Sequence, residues 1–461
     1  MSPESISQTM TQLRAFFDSG KTRNIDFRIA QLKKLKEGIR KYEPAIMASL
    51  YDDLRKPPFE SYASEIGILY TEIDHMIRHL ASWSRPRRAA TPLIHFLSRS
   101  RIDQEPYGVV LIISPWNYPF LLAITPLIGA IAAGNCALIK PSEFSPSTSQ
   151  TIANMAEELF EADYVTVFQG EAHATQKLLE EKFNYIFFTG STAVGRSIMN
   201  AAARHLTPVT LELGGKSPCI VHEDASLKYG IKRIAWGKFF NAGQTCIAPD
   251  YVLIHSKRKD VFIEKMIRTI YSFYGEDPMK SPDYARIVNE RHFNRLVALM
   301  KNGRMLYGGK YLSKDLYISP TMIDQVSPEE PLMQEEIFGP LLPLIEYDNI
   351  DEAIAFVNQK PKPLALYCFS ESRTIQDKVL RETSFGGGCI NDTISHIGSQ
   401  ELPFGGVGES GMGAYHGKAS FDTFSRRRGI LFRSNLVDMS LRYPPYRDRV
   451  SLLQFLFRFV R

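Results

Sequence analysis

An α/β protein is expected from this chain, and three features predict it. From residue 107 onward, short apolar runs alternate with helical segments, the texture of strand–helix–strand units around a parallel sheet. Before that point, apolar residues recur at helical spacing within mixed-charge stretches. The 461 residues also exceed what one small core organises, so two or three domains are expected.

Taken in order, Ile25 to Lys56 forms a long helix with Ile29, Leu32, Leu35 and Ile39 on one face, and a second helix runs from Tyr62 to Trp83. Arg85-Pro86-Arg87-Arg88 then breaks the pattern and reads as a solvated linker, because no aromatic or glycine companion makes it an anion patch. The apolar run Pro119 to Ala133, interrupted by Pro126 and Gly129, is too short to span a bilayer comfortably. It is expected as a buried helix with Pro126 near a first turn or at a kink. Strands are expected at Val109 to Ile113, Ala137 to Ile139, Tyr164 to Phe168 and Tyr185 to Phe188, with helices at Ser147 to Leu159 and His173 to Glu181. A second α/β region starts near Val209, with a helix at Ser226 to Phe240 and strands at Tyr251 to His255 and Leu341 to Tyr347. No internal repeat or low-complexity tract is present.

Composition excludes several function classes. Hydrophobic residues make up 44% and charged residues 23%, which is ordinary for a globular protein. A net charge of +5 is too small at this length for a dedicated nucleic-acid binder. The five cysteines, Cys136, Cys219, Cys246, Cys368 and Cys389, are scattered, odd in number and form no C-x-x-C pair. That argues against a disulfide framework or zinc site and for a reducing, cytoplasmic setting. The histidines show no metal-binding spacing, so no metal is expected. Met1 to Met10 is polar and carries an acid, unlike a secretory signal.

Five segments carry candidate chemistry. Cys246, between Gly243 and Pro249, sits in a shaped loop and can act as a thiol nucleophile, whereas the other four cysteines lie beside apolar strand-like residues and read as inert core. Glu212, in Val209-Thr210-Leu211-Glu212-Leu213-Gly214-Gly215, is an acid in an apolar setting, either paired structurally or tuned toward base function. The strand Tyr185 to Phe188 leads into Gly190-Ser191-Thr192-Ala193-Val194-Gly195 and a helix, either a site for an anion or dinucleotide or a tight turn capped by Ser191 or Thr192. Lys140-Pro141-Ser142-Glu143 ends another strand, where a lysine and an acid could read ribose hydroxyls or form an ordinary charged loop. Asn117, in Ser114-Pro115-Trp116-Asn117-Tyr118-Pro119, is either an oxyanion donor or a turn cap.

Together with Glu336-Ile337-Phe338-Gly339-Pro340 and Pro403-Phe404-Gly405-Gly406, these segments stand in an order that resembles the aldehyde dehydrogenase superfamily. The stretches His205 to Pro218, Ile234 to Tyr251, Met333 to Pro340 and Pro403 to Phe424 look most like its class 3 branch, which includes fatty aldehyde dehydrogenase. Each motif is modest alone; their shared order, over about residues 5 to 445, is specific.

The resemblance implies the aldehyde dehydrogenase fold. A Rossmann-like NAD(P)-binding domain takes residues 1–87 and 107–211, and an α/β catalytic domain takes 212–419. A small bridging, oligomerisation element takes 88–106 and 420–435, and a tail takes 436–461. It implies Cys246 as nucleophile, Glu212 as general base, and Asn117 with the Cys246 N–H as oxyanion hole. Lys140 and Glu143 would meet the adenosine ribose, and Gly190, Ser191 and Gly195 the pyrophosphate. Leu213, Glu336 and Phe338 complete the implied cofactor contacts, the last two at the nicotinamide ribose and ring. Tyr118, Trp236, Thr245, Phe404 and His416 match the class 3 substrate funnel, which implies medium- or long-chain aliphatic, or aromatic, aldehydes.

The implied reaction is oxidation of the aldehyde to a carboxylic acid with NAD or NADP, through a cysteine thiohemiacetal and a thioester. A homodimer is implied, with no nucleic-acid partner. Pro126 stands where many longer members carry a lysine behind the base, so a relay through that lysine is not expected. A non-catalytic protein retaining the fold is disfavoured, because every chemical position holds a competent residue. Transfer of the acyl group to coenzyme A is disfavoured by the intact Glu212.

The tail ends Val450-Ser451-Leu452-Leu453-Gln454-Phe455-Leu456-Phe457-Arg458-Phe459-Val460-Arg461, too short for a transmembrane helix. It reads as a helix packed on the body or the partner subunit, as an amphipathic helix in peripheral contact with a membrane, or, by resemblance, as a helix over the partner's substrate funnel. The packed or funnel-capping form is favoured, since one short apolar face binds bilayers only marginally.

Overall fold

A computed structural model describes residues 3–92, 95, 97–436, 438, 442–446 and 449–458. Two largely parallel sheets organise the chain. The first runs in the order Gly411–Met412, Val209–Glu212, Tyr185–Thr189, Val109–Ile113, Cys136–Lys140, Val165–Val167. All its neighbours are parallel except Gly411–Met412, which arrives from the far end of the chain and sets Gly411 opposite Glu212. Val109–Ile113, Cys136–Lys140 and Tyr185–Thr189 are buried along their whole length, which is why they read as continuous apolar runs and not as alternations.

The second sheet has the order Arg304–Tyr307, Thr321–Asp324, Leu341–Tyr347, Tyr251–His255, Pro218–Val221, Ala365–Phe369, Gly387–Ile390, antiparallel only at its first pair. A third, antiparallel sheet joins Arg87–Ala89, Ser98–Pro106 and Ser425–Arg433. Arg87 and Arg88 therefore belong to an edge strand and not to a linker, with exposed side chains. Backbone pairing is indifferent to side-chain charge, and charged residues suit an exposed edge.

The helix Ile25–Leu54 starts at Asn24, whose side chain accepts from the Asp26 and Phe27 N–H groups, and buries Leu32, Leu35, Ile39, Ile46 and Leu50. The chain re-enters helix at Pro58–Ser61 and continues through a π-helical turn, Tyr62–Ile66, into Gly67–Trp83. Leu121–Ala133 is buried on every face and stops at Gly134, where φ is 93°. Pro126 lies inside this helix, beyond its first turn. The segment expected as helix at His173 to Glu181 is the shorter Ala172–Leu178.

Cys136, Cys219 and Cys368 are buried, but Cys389 is not inert core. It sits half-buried on the edge strand Gly387–Ile390, and its Sγ lies 3.4 Å from His396 Nδ1. The tail forms the helix Val450–Arg458, whose Val450, Leu452, Leu453, Phe455 and Phe457 side chains are exposed. Among the described residues no helix is long and apolar enough to cross a membrane.

Candidate active site

The helix Leu227–Phe239 ends in a tight turn where Asn241 and Ala242 both have φ 52° and Gly243 has φ 75°. Left-handed backbone costs a non-glycine residue about 1–2 kcal/mol, so the surroundings must hold this turn. The Asn241 N–H donates to the Glu60 carboxyl (2.9 Å), and the Gln244 amide donates to the Asn241 (3.1 Å) and Arg286 (2.9 Å) carbonyls. The Val288 N–H donates back to the Gln244 side chain at 3.0 Å. Position 243 has to be glycine, since a Cβ there would overlap the Gly339 carbonyl.

The turn delivers Cys246, partly exposed, onto a cavity of about 350 Å³ that is also lined by Glu212, Leu213, Tyr118, Trp236, Thr245 and Phe404. Glu212 ends the strand Val209–Glu212 and is buried, and neither carboxyl oxygen has a hydrogen-bond partner among the described residues. Burial raises its pKa well above the usual carboxylate range. Its backbone is fixed by Gly190, whose N–H donates to the Glu212 carbonyl at 3.0 Å, and the next residue, Leu213, donates to the Ser410 carbonyl at 3.1 Å. Burial also pushes the Cys246 thiol up, and the Glu336 and Glu212 carboxyls push it further, while the N–H groups of Cys246 and Ile247 pull it back. A Glu212 held neutral by burial repels a thiolate less than a carboxylate would.

Asn117 is buried, with one N–H of its amide donating to the carbonyl of Gln244, two residues before Cys246, at 3.1 Å. Beside it, the Tyr118 and Thr245 hydroxyls meet at 2.6 Å.

A second cleft, of about 280 Å³, is lined by Gly214, Gly215, Lys216, Thr192, Glu336 and Lys360. It and the apolar cavity take successive residues of one segment, Glu212 and Leu213 on one side and Gly214 and Gly215 on the other. The residues present suit a dinucleotide. The Glu336 carboxyl rests where a Cβ of Gly214 would be, so the backbone is bare there. The helix Thr192–Ala203 presents its N-terminus at the end of Tyr185–Thr189, with the Ser191 side chain accepting the Val194 N–H. Gly195 packs against Leu213, where a Cβ would come within 2.6 Å of Cδ2. Lys140, at the end of the neighbouring strand, pairs with Glu143 at 2.5 Å. Phe338, at φ 49°, packs edge-on to Trp116 with ring centroids 5.2 Å apart.

His416 does not line the apolar cavity; Tyr415 does. Tyr415 forms a bridge with Phe404, and His416 leaves that extended stretch at φ 76° to cap the helix Gly417–Thr423, with its ring against the Phe404 and Tyr415 rings. Sequence reasoning missed Ile68, Leu121, Leu122, Phe240, Ile394 and Ile397 on the cavity wall. It also missed Asp250 and Arg295, which hold the backbone at Glu336 and Ile337: Asp250 accepts the Ile337 N–H at 2.9 Å, and Arg295 donates to the Glu336 and Ile337 carbonyls. No local pattern marks these residues, since each is an ordinary helix or loop position in sequence. Among the described residues no group of three or more side chains could hold a metal.

Comparison with known proteins bears on this geometry. The model of the aldehyde dehydrogenase family matches residues 1–430. The 4,4'-diaponeurosporen-aldehyde dehydrogenase of Staphylococcus aureus is 48% identical over 98% of this chain and 99% of its own. The dimeric NADP-preferring aldehyde dehydrogenase of Rattus norvegicus is 46% identical over 96% of this chain and 98% of its own. The solved substrate-bound state of Staphylococcus aureus AldH superposes with a TM-score of 0.96 at 47% identity, covering 98% of this chain and 99% of that one.

Proposed function

We propose that this chain, which belongs to the aldehyde dehydrogenase family and oxidises aldehydes with NAD or NADP, acts on medium- or long-chain aliphatic, or aromatic, aldehydes through a covalent intermediate on Cys246. The observation that carries this is the cavity itself. It holds one thiol, Cys246, and one carboxyl group, Glu212, with no basic side chain, and its wall is mostly apolar, with side chains such as Ile68, Leu122, Trp236, Ile394 and Phe404.

In this mechanism the Cys246 thiol gives its proton to water and, as thiolate, attacks the aldehyde carbon to form a thiohemiacetal, whose oxyanion is stabilised by the Cys246 N–H and by the Asn117 amide N–H that does not bond the Gln244 carbonyl. NAD or NADP, when bound, supplies the hydride acceptor. Lys140, Glu143, Ser191, Gly195, Glu336 and Phe338 are the residues that would hold it. Loss of hydride leaves a thioester on Cys246. Glu212 then takes a proton from water, which attacks the thioester and releases the acid and the thiol. The raised pKa of Glu212 makes it a stronger base once ionised.

An aldehyde chain-length series, assayed with each cofactor, tests the substrate class. Burial of a methylene is worth about 0.8 kcal/mol, so kcat/KM should climb roughly three- to four-fold per CH2 until the cavity is filled. 4,4'-Diaponeurosporen-aldehyde belongs in the series, given the relative named for it. A flat profile, or a preference for charged aldehydes, overturns the assignment. A homodimer is part of the proposal, supported by the dimeric relative; analytical ultracentrifugation decides it.

A further inference from the structure

We infer that Lys56 and Glu65 form a buried positioning pair that fixes the loop carrying Asn117, an inference that rests on Asn117 being the oxyanion donor. Lys56 stands just beyond the helix Ile25–Leu54, and Glu65 lies in the π-helical turn Tyr62–Ile66. Both side chains are fully buried, at 0% exposure, and they form an ion pair. The Lys56 ammonium also donates to the Asn117 carbonyl at 3.0 Å and lies over the Tyr118 ring, 4.2 Å from its centroid. Carboxylate, carbonyl and ring face thus match its three N–H donors. The second Glu65 oxygen accepts the Phe120 (2.9 Å) and Leu121 (3.2 Å) N–H groups, where the helix Leu121–Ala133 begins.

The loop from Asn117 to Leu121 is therefore gripped on two sides. On one side is the Lys56–Glu65 pair. On the other is the strained turn before Cys246: the Asn241 amide donates to the Asn117 carbonyl at 2.9 Å, and the Asn117 amide reaches the Gln244 carbonyl. One carbonyl, that of Asn117, accepts from both sides. A buried ion pair is weak evidence of stability, and replacing both partners by neutral groups of similar shape is often tolerated. A fixed backbone, in contrast, is what an oxyanion donor needs, because its effect depends on preorganisation.

The test is the double variant K56M/E65Q, which removes both charges, keeps similar shapes and leaves a side-chain amide oxygen at position 65 to accept the Phe120 and Leu121 N–H groups. The single variant Lys56→Met strands a buried carboxyl and is the one at risk of misfolding. We expect the pre-steady-state rate of cofactor reduction in the double variant to fall by about 10- to 100-fold, the scale of a sub-ångström to 1 Å misplacement. Aldehyde KM and the dissociation constant of NAD should move by less than about three-fold, since no cofactor or substrate contact is removed. In an Asn117→Ala background the same pair of changes should add less than about two-fold, because coupled residues are not additive. A normal rate in K56M/E65Q, with Asn117→Ala itself impaired, overturns the inference and spares the donor assignment. So does a loss that multiplies fully with Asn117→Ala. A normal rate in Asn117→Ala alone overturns the donor assignment, and the inference with it.

Discussion

Of the five cysteines, Cys246 alone is both partly exposed and placed on the cavity that Glu212 shares. Cys246→Ala is expected to abolish aldehyde oxidation while NAD(P) binding, followed by fluorescence titration, persists; turnover near the native rate would sink the mechanism. Alanine at Cys136, Cys219 or Cys368 should leave kcat in place and lower stability by about 0.5–3 kcal/mol in chemical denaturation. Glu212→Gln is expected to retain a burst of reduced cofactor and to slow steady-state turnover by about 100-fold or more, the scale of a lost general base. Because burial raises the Glu212 pKa, its basic form grows as pH rises, and the native steady-state rate should rise with it. Stopped-flow and steady-state pH profiles should show that this rise is missing in Glu212→Gln. Disappearance of the burst as well would place the base before hydride loss. The cysteine and the acid were legible because one sits between Gly243 and Pro249 and the other in a glycine-bounded apolar segment. Their meeting on one cavity was not, since it depends on how two sheets pack.

At the scale of elements, the turn before Cys246 has three left-handed residues in a row, the last of them a glycine with no room for a Cβ. Gly243→Ala should therefore destabilise the protein by at least about 1–2 kcal/mol and displace Cys246. Denaturation curves read the first effect, and the rate of iodoacetamide labelling of Cys246 reads the second. An unaltered labelling rate would show that the turn does not position the thiol. The tail helix Val450–Arg458 leaves its apolar residues exposed, which leaves a partner subunit or a membrane to cover them. Residues 447, 448 and 459–461, part of the same expectation, lie outside the described residues. Deleting 447–461 is expected to change the chain-length preference more than the rate with short aldehydes. Flotation with anionic liposomes should leave the intact protein unbound. Retention that is lost on truncation, with no change in substrate profile, would reverse this assignment.

For the whole molecule, buried acids set the pH response. Burial raises Glu60 and Glu336 to about 8 and Glu72 to about 7, against 4.5 for an ordinary glutamate. Between those limits the folded state holds more protons than the unfolded state. The stability from these groups is therefore complete below about pH 4.5 and is lost as pH climbs through 7 to 8. His292, His396 and His416, lowered by burial to about 4, act the opposite way below about pH 6.5, so the Tm of the cofactor-free protein should fall from there to about pH 8 in calorimetry. Glu60→Gln, which keeps an acceptor for the Asn241 N–H, should flatten the slope. An unchanged slope would place the linkage elsewhere.

The sequence by itself determined the fold class, the order of the chemical segments and most strand and helix positions. Strands such as Val109–Ile113 are buried end to end and so spell themselves as apolar runs, and glycines mark turns that no other residue can make. Tertiary structure alone decided which face a side chain takes and which distant residues meet. His416 lies off the cavity because the backbone turns there, at φ 76°, from the Phe404–Tyr415 bridge into a helix. Arg87 and Arg88 joined a sheet because backbone pairing ignores charge. Lys56 and Glu65 reached the Asn117 loop across 61 and 55 residues of chain. No local pattern encodes such contacts; they arise when packed helices bring separate parts of the sequence together and burial requires each polar group there to find a partner.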